Sequence, residues 1–275
     1  MTRHSIVRVL FLLLAASLCL TELVPVQAQT YLGFDRNEYP GDARLTALRQ
    51  SFSYAGYWLN NPPGSKSNHW VGHRAAVESA GLGFLVLFNG RLYAELKSEE
   101  RAARIGGSDA HLASVTAQRE GFPPRTVIFL DQEQGGRMLP EQLEYIRAWV
   151  QGVTNAGFRP GIYCSGMAST DSNRVVTAED IHRNLPHLPI VYWVTNDACP
   201  PSPGCAFPQR APRPAESGIA FAEVWQFAQS PQRKDVAAHC TNYNRDKNCY
   251  PPNLPGVHVD VSTANSADPS HGRTH

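Results

Sequence analysis

The sequence predicts an α/β domain closed as a single (β/α)8 TIM-type barrel. Eight short apolar runs recur along the chain, several rich in β-branched and aromatic residues, as strands buried on both faces require. Stretches with helical periodicity lie between several of them. No GxGxxG follows the first run, which counts against an open doubly wound sheet. A strand–helix rhythm repeated through one domain of this length reads as a barrel.

The runs are Tyr31–Asp35, 52–59, Gly83–Asn89, 126–131, 160–164, 189–195, Ala222–Ala228 and 257–262. A helix is predicted over 68–80, with Val71, Ala75 and Ala76 on one side and Gly81 as its stop. A second, over 108–120, has a small-residue face and is stopped by Gly121 and Pro123. The third, over 140–156, opens on Pro140, carries Leu143, Ile146, Ala148 and Val150 in helical rhythm, and closes at Gly157. Thr177–Asn184 is shorter, with Thr177 as its expected cap. Residues 196–221 and 229–256 read as irregular loops rich in Pro and Cys, so the second half of the barrel should lack clean helices.

Composition narrows the function. Of 275 residues, 42% are hydrophobic and 18% charged, as in globular proteins. Lys and Arg total 25 against 24 for Asp and Glu, with no basic block. The field needed to hold nucleic acid without sequence preference is therefore absent. Residues 1–28 read as a secretory signal peptide: Arg3 and Arg8 flank the start of the apolar run 6–20, and Val26-Gln27-Ala28 is a small-x-small cleavage pattern. Leu18 before Cys19 is too bulky for a good lipid-anchor motif. The expected product is one barrel domain over 29–275, secreted to an extracellular or periplasmic space, monomeric and without integral membrane contact.

Cysteine usage agrees with export. Cys164, Cys199, Cys205, Cys240 and Cys249 remain after cleavage. The loops 199–205 and 240–249 could each close on themselves, predicting Cys199–Cys205 and Cys240–Cys249, although spacing leaves other pairings open. Cys164 falls on a strand and should be free and buried. No CxxC is present and the His residues are scattered, so neither a metal nor an organic cofactor is expected. His69 and His73 lack the Glu of HExxH, and Ser165 is not in a GxSxG elbow.

The informative feature is where the acids fall. Asp35 ends the first run, Asp131 ends the fourth, Glu133 lies two residues beyond, and Asp260 sits within the eighth. In a parallel barrel the C-terminal strand ends share one face, where catalytic groups collect. Closure makes strands one and eight neighbours, placing Asp35 beside Asp260 and across the mouth from Asp131 and Glu133. Residues two apart on an extended segment point the same way, with Cα atoms roughly 6.5–7 Å apart, while Gln132 turns aside. A lone strand-end acid commonly caps a helix or pairs with a loop Arg such as Arg137; four converging on one mouth point to chemistry. One acid kept protonated beside one kept charged is the requirement for cleaving a glycosidic bond. Glu133, with the longer reach and Gly135-Gly136 beyond it, is the expected general acid. Asp131 would stabilise developing positive charge or orient a 2-acetamido group, and Asp35 and Asp260 would position the acid or activate water.

Aromatic residues cluster at the same strand ends. Trp58, Tyr163, Trp193 and Trp225 are candidates for packing on sugar faces, with Gln226 and Asn89 as polar contacts. Of each adjacent pair, such as Tyr57-Trp58 or Tyr192-Trp193, only one can face the interior.

Several motifs in this order resemble the lysozyme-type glycoside hydrolases of family 25. They are Gly33-Phe34-Asp35, Phe129-Leu130-Asp131-Gln132-Glu133, Gly161-Ile162-Tyr163, Val224-Trp225-Gln226-Phe227 and Val259-Asp260. The segment from Asp35 to Gly41, and the second run followed by Asn60-Asn61-Pro62, resemble more closely the glycoside-hydrolase-like domains called domain of unknown function 1906. The resemblance spans 31–265. It implies hydrolysis of the β-1,4 bond between N-acetylmuramic acid and N-acetylglucosamine in peptidoglycan, with Glu133 as proton donor beside Asp131 and with Asp35 and Asp260 as flanking acids. Arg36 and Glu38, and the Pro-Cys segment 196–216, depart from the lysozyme pattern and would reshape the cleft. Two functions follow: a secreted glycosidase acting on peptidoglycan or a related amino-sugar polymer, or a carbohydrate-binding protein that kept the barrel without turnover.

Overall fold

In the computed structural model, which describes residues 29–170, 173–252 and 254–274, eight strands close into a barrel in sequence order. They are β1 (Tyr31–Asp35), β2 (Tyr54–Trp58), β3 (Gly83–Asn89), β4 (Val127–Asp131), β5 (Arg159–Ser165), β6 (Val191–Thr195), β7 (Ala222–Ala228) and β8 (Asp260–Ala264). The helices are α1 (Asp42–Arg49), α2 (Arg74–Ser79), α3 (Tyr93–Leu96), α4 (Glu99–Glu120), α5 (Pro140–Asn155) and α6 (Thr177–Asn184). Only a 3-10 turn at Pro214–Ser217 separates β6 from β7, and irregular chain joins β7 to β8, as the Pro-rich loops imply. The expected leader lies outside the described residues. Among those described, no helix is long and apolar enough to cross a membrane.

The barrel departs from the parallel expectation in one strand. β1 to β7 run parallel, but β8 is antiparallel to both β7 and β1. The expected run 257–262 is displaced: Val257 and Val259 are buried outside the sheet, and β8 begins at Asp260. Asp260 therefore stands at the N-terminal end of a reversed strand, which brings it to the same mouth as the C-terminal end of β1. Asp35 and Asp260 are direct partners in the register. Their adjacency was expected; strand reversal is what produces it.

Helix boundaries show where local chemistry overrides periodicity. Residues 68–73 do not join the predicted helix. Asn68 Oδ1 accepts from the Trp70 amide at 2.9 Å, Asn68 Nδ2 donates to the Trp58 carbonyl at 2.8 Å, and Gly72 has φ +90°. Side-chain bonds of this kind compete with the helix ladder, and α2 starts only at Arg74. α4 begins nine residues before the predicted 108, capped by Ser98 with Glu99 and Glu100 in its first turn. Its interior Gly106 is a packing requirement: a methyl there would lie 2.4 Å from the Tyr145 carbonyl of α5. α1 and α3 were not anticipated. Thr177 is the first residue of α6 and does not cap it; its hydroxyl accepts from the Gly136 amide at 2.7 Å and so fastens the loop after β4.

The core fills the barrel and the shell between strands and helices with Trp149, Trp193, Trp225, Tyr54, Phe84, Phe88 and Phe129, all essentially inaccessible to solvent. The C-terminal tail covers the end opposite the mouth. Ser270 accepts from the Val86 amide through its hydroxyl at 2.8 Å and from the Val127 amide through its carbonyl at 2.8 Å, and Asp268 accepts from the Phe84 amide at 2.8 Å.

The disulfides correct the sequence reading. The bonds are Cys199–Cys240 and Cys205–Cys249, not Cys199–Cys205 and Cys240–Cys249, while Cys164 is free and buried. The reason is the reversal of β8. The loop after β6 and the loop from β7 to β8 both leave the mouth from adjacent strands, so they lie side by side and are tied to each other. Peptide mapping without reduction should recover cross-links between the 199–205 and 240–249 segments and none within either. Replacing Cys199 and Cys240 by Ala should destabilise the protein by roughly 2–4 kcal/mol in denaturant unfolding, as loss of a long closed loop implies.

Candidate functional site

Strand alternation decides which side chains enter the barrel mouth. Trp58 and Trp193 turn inward. Their neighbours Tyr57 and Tyr192 turn outward: the Tyr57 hydroxyl donates to Glu120 at 2.5 Å, and Tyr192 packs on Phe221 and His182. The same alternation turns Gln226 inward with Trp225 and Phe227 outside, and the register with β8 shifts just beyond, between Gln226 and Ala228. The four acids Asp35, Asp131, Glu133 and Asp260 line one cavity of ≈ 150 Å³. Trp58, Tyr163, Trp193 and Gln226 line it too, with Asn37, Pro63, Leu87 and Gln229.

Two expected contacts are not in this cavity. Trp225 is fully buried in the shell, stacked edgewise on Phe227, with its indole N–H donated to the Asn196 carbonyl at 2.8 Å. It is core. Asn89 is engaged at the end of β3: Asn60 brackets its backbone N–H and carbonyl at 2.7 and 3.0 Å, and its amide donates to the Asn61 carbonyl. It faces an adjoining cavity of ≈ 370 Å³, lined also by Arg91, Leu92 and Leu112. Pro63, Asp131 and Glu133 belong to both cavities. The two cavities therefore adjoin at the Asp131–Glu133 pair. A larger cavity of ≈ 570 Å³ lies at the opposite barrel end, beside the first residues of β4, β5 and β6, and contains no carboxylate pair.

Gly56 on β2 makes room for the first acid, since a methyl there would stand 2.6 Å from Asp35 Cβ. Gln226 Nε2 donates to Asp35 Oδ1 at 3.1 Å and to Asp260 Oδ2 at 3.4 Å. Its carbonyl accepts from the Tyr163 hydroxyl at 2.7 Å and from Gln229 Nε2 at 2.9 Å. Asp260 Oδ1 accepts the Ser230 amide at 2.6 Å. Tyr163 packs at a tilt of 56° against Trp193, ring centroids 4.5 Å apart, and Trp193 meets Phe129 edge to face. These rings form a floor.

Asp131 and Glu133 differ sharply. Asp131 is 4% exposed, whereas Glu133, past the end of β4, is open to solvent. Gln132 between them is buried and donates to the Gln134 carbonyl at 3.1 Å. Burial pushes the Asp131 carboxyl well above the ordinary range, and the charge of Glu133, a hydrogen bond to it, and the charge of Asp35 add to this. Asp131 Oδ1 is buried with no hydrogen-bond partner, and burial of this kind favours the neutral carboxyl. Burial likewise pushes Asp35 up to about 7, against the lowering bond from Gln226 and with a further push from Glu133. Asp260 rises through burial and the Asp35 charge, opposed by the Ser230 amide. The indole N–H of Trp193 is a buried donor without a partner in the same cavity. Among the described residues, no three His, Cys, Asp or Glu side chains are arranged to hold a metal ion.

Sequence reading missed Asn37, Pro63 and Gln229. Gln229 carried a signal, standing one residue past β7 and three after Gln226; Asn37 and Pro63 sit in loops where no periodicity applies.

Comparison with known proteins places this geometry. No match was found among curated protein sequences. Among solved structures, an uncharacterized B. stearothermophilus protein is 22% identical, covering 85% of this chain and 95% of its own, with a TM-score of 0.56. The Mycobacterium tuberculosis Tat-secreted protein Rv2525c is 15% identical over 90% and 98%, with a TM-score of 0.51. The catalytic domain of endolysin ply40 from bacteriophage P40 of Listeria monocytogenes is 13% identical over 90% and 100%, with a TM-score of 0.52. At these identities the likeness is one of fold. The profile of the Rv2525c-like, glycoside hydrolase-like domain matches residues 54–217, which include Asp131 and Glu133 but neither Asp35 nor Asp260. That match covers more than half of the sequence and bears out the resemblance drawn from the motifs: the chain belongs to the Rv2525c-like family of glycoside hydrolase-like domains.

Proposed function

We propose that the protein is a secreted glycoside hydrolase acting on peptidoglycan or a related amino-sugar polymer, with Glu133 as general acid. The observation that carries this reading is the groove. Two cavities meet at Asp131 and Glu133, so a chain lying through both would present one linkage to that pair. The endolysin whose fold it shares is a likeness in the same direction.

The roles divide by position. Asp131 holds the proton of the pair at rest but sits too deep to reach a leaving oxygen. Glu133 reaches into the groove. A bound sugar covers Glu133 and strips its water, and loss of water favours the neutral form of a carboxyl. The shared proton is then drawn onto Glu133, which delivers it to the glycosidic oxygen, while Asp131 is left charged beside the developing positive centre. In an N-acetylated substrate the same carboxylate could orient the 2-acetamido group. Asp35 and Asp260 stand across the cavity, where they can hold a water or a hydroxyl. Trp58, Trp193 and Tyr163 supply the floor on which a ring packs, and the orphan Trp193 N–H and Asp131 Oδ1 offer it a donor and an acceptor.

Release of reducing ends from peptidoglycan, chitin and plain β-glucans should be fastest on one of the amino-sugar polymers. Glu133→Gln should lower that rate by roughly 10²-fold or more while glycan binding persists. Equal rates in the two proteins would remove Glu133 from the role. Binding in both with turnover in neither would identify a carbohydrate-binding protein on the same barrel.

The proton inventory has its own consequence. The folded state binds a proton at Asp35 more tightly than the unfolded chain, between 3.8 and about 7. Stability from this group is thus fully present below the unfolded value and is lost as pH rises through 7. Asp131 and Asp260, also raised, act in the same direction. Thermal unfolding of the wild type should therefore occur at higher temperature at pH 5 than at pH 8. Asp35→Asn should flatten that difference, by on the order of 2–4 kcal/mol. A profile rising toward alkaline pH would refute the assignment.

A further inference from the structure

Gln226 was expected to touch sugar, yet its hydrogen-bonding capacity is already spent. A carboxamide offers two N–H donors and two carbonyl lone pairs. Both donors go to carboxylates, Asp35 and Asp260, and both lone pairs are filled, by Tyr163 and Gln229. The side chain is 2% exposed. In this orientation the amide nitrogen faces the two acids and the carbonyl faces the Tyr163 hydroxyl and the Gln229 amide. We propose that Gln226 is a positioning residue that ties the Asp35 and Asp260 carboxylates together in a fixed geometry and makes no contact with the glycan.

The tie answers a problem set by the fold. Strand register makes Asp35 and Asp260 direct neighbours, and whenever both are ionised they repel. An amide nitrogen between them donates to each without adding charge, and its carbonyl is anchored to the Tyr163 ring that forms the floor. Other groups facing the pair are Glu133 and Asp131 across the cavity, Tyr54 from β2, Arg36 beside Asp260, and Asp197 behind it. None of these bridges the two acids. Gln226 acts through them, so its effect on turnover rests on the hydrolase reading above, whereas its effect on their titration does not.

The test therefore has two independent arms on the full chain. In the first, the carboxyl carbons of Asp35 and Asp260 are titrated by NMR in wild type, Gln226→Met and Tyr163→Phe. Gln226→Met removes the donors and should move the Asp35 midpoint upward by at least half a pH unit. Tyr163→Phe only loosens the anchor and should move it less, in the same direction; it keeps the ring and serves if the first variant does not fold. Unchanged titrations in folded variants would overturn the proposal. In the second arm, kcat for Gln226→Met on the best polymer should fall about 10- to 100-fold, with KM within about threefold and the pH profile displaced. A rise in KM of more than tenfold with kcat and pH profile unchanged would make Gln226 a sugar contact. If the wild type shows no turnover, the hydrolase reading fails, and the titration arm alone decides the role of Gln226.

Discussion

The pairing of β1 with β8 is the constraint on which the site depends. It closes the barrel, and in closing it sets two carboxylates opposite one another with a second pair across a cavity of ≈ 150 Å³. Like charges at such range in a partly dry environment repel strongly. Two means are visible in the structure, an amide shared between Asp35 and Asp260 and a backbone N–H from Ser230, and burial adds a third by favouring the neutral form of the carboxyls. Each is local, and each comes from a different element. Clusters of carboxyls with raised pKa values are common at functional sites.

The mouth also shows how strand alternation sorts aromatics of the shell from those that line the cavity. Trp58 and Trp193 belong to the cavity and Tyr57 and Tyr192 to the shell, because consecutive side chains cannot share a face. The same rule removes Trp225 and admits Gln226. Buried area is similar for all of these residues, so burial alone would not have separated them.

Much of this was legible in the sequence because strand ends are sharp. Asp35, Asp131 and the Asn89 terminus fall where the apolar runs stop, and those three boundaries agree with the structure to the residue. What could not be read was direction. The alternation of Val257, Val259 and Val261 fits a strand running either way, and nothing local announces that β8 is reversed. From that one ambiguity came the wrong cysteine partners, since loops that lie together only through topology cannot be paired by spacing. Helix starts were obscured for a different reason. Asn68 diverts its own backbone, and Gly106 inside α4 reads as a break until its close neighbour on α5 is known. The contrast in burial was also out of reach: Glu133 and Asp131 are two residues apart, but one is open and the other enclosed.

Because β7 arrives at the mouth and β8 departs from it, the intervening excursion begins and ends on the same rim. It contributes Gln229 and Ser230 to the acids and both cysteine partners to the neighbouring loop. A length change there would alter the cleft without disturbing strand register. The excursion is thus a segment whose length can vary at the rim while the eight-stranded frame carries the fold.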